Sequence, residues 1–314
     1  MVNQGTNLQI DGFNRLHVNL CATKRRADRL VSSRSIKNAW QAAWLVKAIE
    51  MMDLTTLSGD DSQSRVQRLA AKAKSPLRHD LVKALGLEDR PPKVVALCVY
   101  PAMIGFAHEA LQGHSIRLAS VATGFPAGLI PLDLRLAEIG YAVEQGADEI
   151  DIVITRSHVL TGNWQALYDE LRAMKAACGN AHMKTILACG DLKTLSNIYK
   201  ASMVAMQAGS DFIKTSTGKE SVNATLTFGL TMVRAIRDYY DKTGYRVGFK
   251  PAGGIKTAKD ALNWLVLIKE ELGDAWLDPS LFRLGASSML SDIERQLEHF
   301  VTGRYAAHHH HALA

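Results

Sequence analysis

What most constrains this chain is a recurring unit: a short β-rich run, a turn, an amphipathic helical pattern and a small-residue stop, repeated from residue 51 nearly to the end. Eight strand candidates can be read: MMDLTTL (51–57), VALCVY (95–100), IRLASVAT (116–123), EIDIVI (149–154), MKTILA (183–188), DFIKTS (211–216), RVGFKPAG (246–253) and LFRLGAS (281–287). Between them lie patterns with apolar residues at three- and four-residue spacing, such as LRLAEIGYAVEQGA, LSNIYKASMVAMQAGS and TAKDALNWLVLIKEEL. Most consecutive strand starts are about 30 to 35 residues apart, room for one strand, one crossover helix and their loops. Eight such units predict an α/β protein of the TIM type, a (β/α)8 barrel, over residues 46–304. A doubly wound open sheet is the alternative, but no GxGxxG follows the first strand. Residues 1–45 read as a polar, basic and partly helical N-terminal extension that runs into the helical pattern SIKNAWQAAWLVKAIEMM (35–52), and 305–314 as a His-rich tail.

Composition sets the environment. At 314 residues and 47% hydrophobic the chain can bury a large core. No apolar run approaches the roughly 18 to 20 residues of a membrane span, and the start lacks a basic segment followed by an apolar one, so a cytoplasmic protein with no membrane partner is expected. Cys21, Cys98, Cys178 and Cys189 are scattered without a CxxC pair, which fits reduced thiols. The formal charge of +6 is spread among acidic residues rather than clustered with aromatics, so small anions are better partners than nucleic acid. HHHH at 308–311 has the composition of a metal-binding tract but no acidic or Cys neighbours, and neither metal nor cofactor is expected.

The polar residues inside the strands carry the chemistry. Side chains alternate between faces of a strand, so charged residues among small ones point into a barrel's lumen. By this parity Lys214 shares a face with Phe212 and Ser216, Lys250 with Gly248 and Ala252, Asp53 with Thr55, and Lys184 with Ile186 and Ala188. Asp151 points inward while Ile150, Ile152 and Ile154 point out. Burying such charges costs several kcal/mol each unless they are paired. One outcome is an ion-pair network that only plugs the barrel; the other is a site. A second ammonium about 6 Å away, at an effective dielectric near 20, costs a lysine roughly 3 kcal/mol, about two pKa units, and desolvation adds to this. A lysine so treated becomes an amine able to form a Schiff base, with an aspartate moving protons. Parity alone does not say which lysine.

STGK (216–219), PAGG (251–254) and GASS (285–288) each follow a late strand and precede a helical pattern. On a barrel rim, such loops bind phosphate through backbone N–H groups and a helix N-terminus.

In this order and spacing, MDLTTL, ALCVYP, ADEIDIVI, DFIKTSTGK, VNAT, VGFKPAGG and GASS resemble deoxyribose-phosphate aldolase, a class I aldolase family, over about residues 38–305. WQAAWL, LTTLSGDD, VATGFPAG and HFVTGRYAA are similar to its animal members. The resemblance implies reversible cleavage of 2-deoxy-D-ribose 5-phosphate to D-glyceraldehyde 3-phosphate and acetaldehyde, in deoxyribose phosphate catabolism, without a cofactor. It implies Lys214 as the Schiff-base residue, Asp151 as proton donor and acceptor, Lys250 as relay and perturbing charge, and Asp53 as a further active-site carboxylate. Cys98, Thr55 and Thr217 fall beside the substrate, and Gly218, Lys219, Gly253, Gly254, Gly285, Ser287 and Ser288 fall on its phosphate. The family's bacterial members end in a tyrosine that helps protonate the enamine carbon; this chain ends HHHHALA, with Tyr305 its nearest tyrosine. The N-terminal extension has no bacterial counterpart, so a homo-oligomer is expected without a transferable interface. A Schiff-base aldolase for another phosphorylated substrate, and a non-catalytic phosphosugar-binding protein, are the rival readings.

Overall fold

The computed structural model describes residues 3–307 and 310–312. Its eight strands are β1 (Met52–Thr55), β2 (Ala96–Val99), β3 (Arg117–Ala122), β4 (Glu149–Val153), β5 (His182–Ile186), β6 (Phe212–Lys214), β7 (Gly248–Lys250) and β8 (Leu284–Ala286). Every pair is parallel, neighbours follow chain order, and β1 also pairs with β8. Bridges Phe249↔Phe282 and Ala252↔Gly285 complete the ring between β7 and β8. The chain forms the TIM barrel expected of its periodicity.

Two helices, α1 (Leu20–Ser32) and α2 (Asn38–Glu50), precede the first strand. The crossovers carry α3 (Gln63–Lys74), α4 (His79–Ala84), α5 (Ile104–Leu111), α6 (Leu132–Glu144), α7 (Arg156–Leu160), α8 (Trp164–Ala177), α9 (Leu195–Gln207), α10 (Leu226–Thr243) and α11 (Ala258–Leu272), and α12 (Met289–Thr302) follows β8.

The outward residues of the strands, among them Leu54, Leu97, Ile150, Ile152, Ile213 and Phe249, pack with the helices into the main core. Helices start where threonine oxygens accept otherwise orphaned N–H groups: Thr194 for α9, Thr225 for α10, and Thr257 with Asp260 in a capping box for α11. The lumen face is divided. Cys98, Ala119 and Val121 form a small apolar cluster with Leu57, Tyr100 and Phe125 on the β2–β3 side. The opposite side is charged.

Before the barrel, α1 is a helix where only a polar, basic segment was expected. Asn19 caps it, and it buries Thr23, Ala27 and Leu30 against α10 and α11. Ahead of it Asn3 donates to the carbonyls of Met206 and Ser210 at 2.8 and 2.9 Å and accepts from the Tyr239 hydroxyl, strapping the arm to the barrel. Helix α2 packs on α11 and α12 and ends one residue short of β1. No helix among the described residues is long and apolar enough to cross a membrane.

Candidate active site

Strand register stacks the lumen charges in two tiers. Asp151 pairs with Lys184 and Lys184 with Phe212, so Lys214 and Lys250, themselves paired, lie one inward step nearer the C-terminal mouth than Lys184. In the inner tier Lys184 Nζ sits 2.5 Å from Glu149 and 2.9 Å from Asp53. Arg283 Nη1 donates to Asp53 at 2.7 Å, and its guanidinium reaches Glu149 at 2.8 and 3.0 Å. In the mouth tier a single oxygen, Asp151 Oδ2, accepts from Lys214 at 2.7 Å and from Lys250 at 2.8 Å. Lys250 ties the tiers together through Asp53 at 2.5 Å, and Lys184 does so through Asp151 Oδ1 at 3.3 Å. All seven side chains are buried.

Two glycines make this packing possible. A Cβ on Gly248 would lie 2.3 Å from the Phe212 ring, which in turn covers the Arg283 guanidinium at 5.4 Å. A Cβ on Gly285 would meet Ala252 at 2.9 Å and the Lys250 chain at 3.2 Å. Larger residues would push these two cations off their carboxylates.

Charge counting separates the lysines. Asp53, Glu149 and Asp151 face Lys184, Lys214, Lys250 and Arg283, so one cation is in excess if all four are protonated. Burial alone would raise the Asp53 and Asp151 carboxyls, but the surrounding lysines, with Arg283 at Asp53, hold both well below the usual carboxylate range. Glu149 is likewise pulled down, to about 2, by Lys184 and Arg283 against its burial. Burial would lower Lys184 and Lys250, yet their contacts with two or three carboxylates outweigh it and raise both. For Lys214 burial prevails over its single carboxylate partner, Asp151, and the Lys250 ammonium adds to it, so its pKa falls below 10.5. Desolvation is thus the leading cause and the neighbouring ammonium the lesser. Lys214 is the lysine closest to giving up its proton.

It also lines a cavity that Lys184 and Lys250 do not border. A hollow of about 240 Å³ at the C-terminal ends of the strands is bordered by Thr55, Lys214, Thr217, Gly218, Lys219, Gly253, Gly254, Gly285, Ser287 and Ser288, all expected from sequence. Leu57, Ile255 and Lys256 join them. Asp53, Asp151 and Lys250 lie beneath, in the lumen, with Cys98, whose thiol burial pushes up. Thr55 Oγ1 donates to the Asp53 carbonyl. The cavity rim has the makings of an anion site: the N-terminus of α12 preceded by exposed Ser287 and Ser288, glycines without side chains, and the exposed ammoniums of Lys219 and Lys256. One detail departs from expectation. The Gly218 N–H is donated to Glu220 at 3.2 Å, so what Gly218 presents to the cavity is a bare Cα rather than a free donor.

Three participants escaped the sequence reading. Glu149 and Arg283 have the inward parity of Asp151 and Gly285, a signal that strand alternation already contained. Lys256 lies two residues beyond PAGG, outside the rim motif. Tyr305 stacks on His299, 4.2 Å between ring centroids, and is exposed. Beyond it, His311 lies 3.2 Å from Glu298 of α12. His308 and His309 of the HHHH tract lie outside the described residues, and among the described residues no cluster of His, Cys, Asp and Glu is arranged for a metal. A larger hollow of 620 Å³ between the N-terminal arm and α9–α10 contains none of the buried charges.

Residues 47–287 match the pattern of the DeoC/LacD family of aldolases. Proteins described as deoxyribose-phosphate aldolase from human and mouse are 60% and 61% identical to the chain, over 98% of its length and 97% of theirs. A solved deoxyribose phosphate aldolase from Aeropyrum pernix, described as a tetramer, is 22% identical and covers 89% of this chain and 99% of that one with a TM-score of 0.60, a likeness of fold.

Proposed function

The chain belongs to the DeoC/LacD family of aldolases, and from that premise we propose that it reversibly cleaves 2-deoxy-D-ribose 5-phosphate to D-glyceraldehyde 3-phosphate and acetaldehyde through a Schiff base on Lys214. The observation that carries the choice of nucleophile is the asymmetry among the lumen lysines. Of Lys184, Lys214 and Lys250, Lys214 has the lowered pKa and the open face on the cavity.

In this reading the neutral Lys214 amine adds to the C1 aldehyde of the open-chain sugar, and loss of water leaves an iminium. Asp151, already bonded to both mouth-tier amines, passes the protons with Lys250 as its relay. Loss of the C3 hydroxyl proton then breaks the C2–C3 bond, the electron pair moves into the iminium, and glyceraldehyde 3-phosphate departs. The enamine left behind is protonated at C2, and water releases acetaldehyde and the free amine. Asp53 holds Lys250 and joins it to the inner tier. The rim, Thr217 to Lys219 with Gly253, Gly254, Gly285, Ser287 and Ser288, takes the phosphate, while Thr55 and Cys98 border the sugar carbons. Phosphate contacts remote from C1 and C3 position the reacting bond. The organisation that goes with this reading is a catalytic barrel over 46–304, an extension over 1–45 and a tail over 305–314. A cytoplasmic location agrees with four unpaired thiols, and self-association with the exposed Leu129, Ile130, Leu132 and Leu134.

The test is reduction with sodium borohydride in the presence of deoxyribose 5-phosphate, followed by peptide mass spectrometry on the wild type and Lys214→Ala. An adduct on Lys214 that the variant lacks is the expected result. Labelling of Lys184 or Lys250 would overturn the choice of nucleophile, and the absence of any adduct on folded protein would point to a phosphosugar-binding role.

A further inference from the structure

The loop that follows β6 supplies Thr217, Gly218 and Lys219 to the cavity, yet its shape is set by two side chains that do not line it. Glu220 bends back so that its carboxylate accepts from the Thr217 N–H at 3.0 and 3.1 Å, the Gly218 N–H at 3.2 Å and the Thr217 hydroxyl at 2.9 Å. Its side chain is only 2% exposed and does not line the cavity. A buried carboxylate needs a cation, and Arg156 supplies it at 3.5 Å. Arg156, the first residue of α7, spreads its guanidinium over two other loops at the same rim. It donates to the carbonyls of Ala127 at 2.7 Å and Pro126 at 3.2 Å, after β3, and pairs with Asp191 at 2.9 Å, after β5. The Glu220 carbonyl accepts from Asn223, whose side chain packs on Gly253 in the loop after β7.

We propose that Arg156 and Glu220 are positioning residues for the substrate's phosphate: a clasp that fixes the β6 loop so that Lys219 and the bare face of Gly218 meet the anion. The inference rests on the aldolase reading above. No single-point charge can replace the clasp, because the planar fork of arginine reaches four acceptors at once where a lysine ammonium cannot.

The experiment is steady-state kinetics of the full chain with deoxyribose 5-phosphate and with unphosphorylated 2-deoxyribose, for the wild type, Arg156→Met, Arg156→Lys and Glu220→Gln, with inorganic phosphate as a competitive probe. KM for the phosphorylated sugar should rise about tenfold in all three variants, and phosphate should inhibit correspondingly less, with kcat changing by less than about twofold. KM for 2-deoxyribose should stay near its wild-type value. Wild-type behaviour of Arg156→Lys would reduce Arg156 to a distant charge and sink the proposal. A fall in KM for Glu220→Gln would make Glu220 an anion repeller instead, and an equal loss on both sugars, or loss of the Lys214 adduct, would make the pair merely structural. A wild type that does not prefer the phosphorylated sugar would count against the aldolase reading itself, separately from the clasp.

Discussion

The two tiers of charge in the lumen use the same residue types and do opposite things. In the inner tier Lys184 and Arg283 each touch two or three carboxylates, and every charge is matched. In the mouth tier Lys214 and Lys250 divide one oxygen of Asp151, and only Lys250 has a second carboxylate. The inner tier is the plug that buried charges form when they have enough partners; the mouth tier is the same network left one anion short. A deficit of one carboxylate, placed where the lumen opens on the cavity, lets burial prevail at Lys214 and lower its pKa, the opposite of what happens at Lys184 and Lys250.

The comparison breaks most sharply under one substitution made at two heights. Lys214→Met should reduce turnover by about 10⁴-fold or more, the scale of losing a covalent nucleophile. It should leave the denaturation midpoint nearly unchanged, because the one carboxylate partner of Lys214, Asp151, keeps Lys250 at 2.8 Å and Lys184 at 3.3 Å. Asp151→Asn comes next, with kcat down by about 10² to 10⁴, the usual weight of a positioned acid–base group. Lys184→Met should instead cost about 3 to 5 kcal/mol of stability in urea unfolding, the penalty for stranding buried carboxylates. It should also move the alkaline onset of activity upward, since Lys214 would be recruited to the freed charge. If Lys184→Met unfolds no more easily than Lys214→Met, the division into tiers is wrong.

Much of this was legible in the sequence because a strand's two-residue period is strict. Asp53, Asp151, Lys184, Lys214 and Lys250 were assigned to the lumen by parity, and that is where they lie. Parity would also have caught Glu149 and Arg283. Both stand at strand beginnings, where the eye is drawn to the apolar run that follows; adding one anion and one cation, they leave the excess of one lumen cation unchanged. Which lysine carries the chemistry was not legible, because the answer depends on how many carboxylates each amine touches across strands far apart in sequence. Helix α1 was missed for a different reason: it buries Thr23 and Ala27, small residues that leave little apolar signal. The Glu220 clasp escaped because a loop's hydrogen bonds have no period.

The smallest effect is the one that measures the deficit most directly. Lys184 and Lys250, raised in the fold, give stability that is complete below 10.5 and is lost as pH climbs above it. Lys214, lowered in the fold, works in the other sense. Just below 10.5 the unfolded chain holds a proton on this residue that the folded chain has released, so stability rises with pH across that interval. At the acid end Glu149, unfolded near 4.5 and folded at about 2, contributes stability that disappears as pH falls between those values. Urea midpoints of the wild type should therefore climb slightly toward pH 10.5 and fall beyond it, whereas Lys214→Met should show only the fall, with its acid limb unaltered. A climb that survives in Lys214→Met would belong to another group. The mouth tier would then be as fully paired as the inner one, and the reason to prefer Lys214 as the nucleophile would rest on its access to the cavity alone.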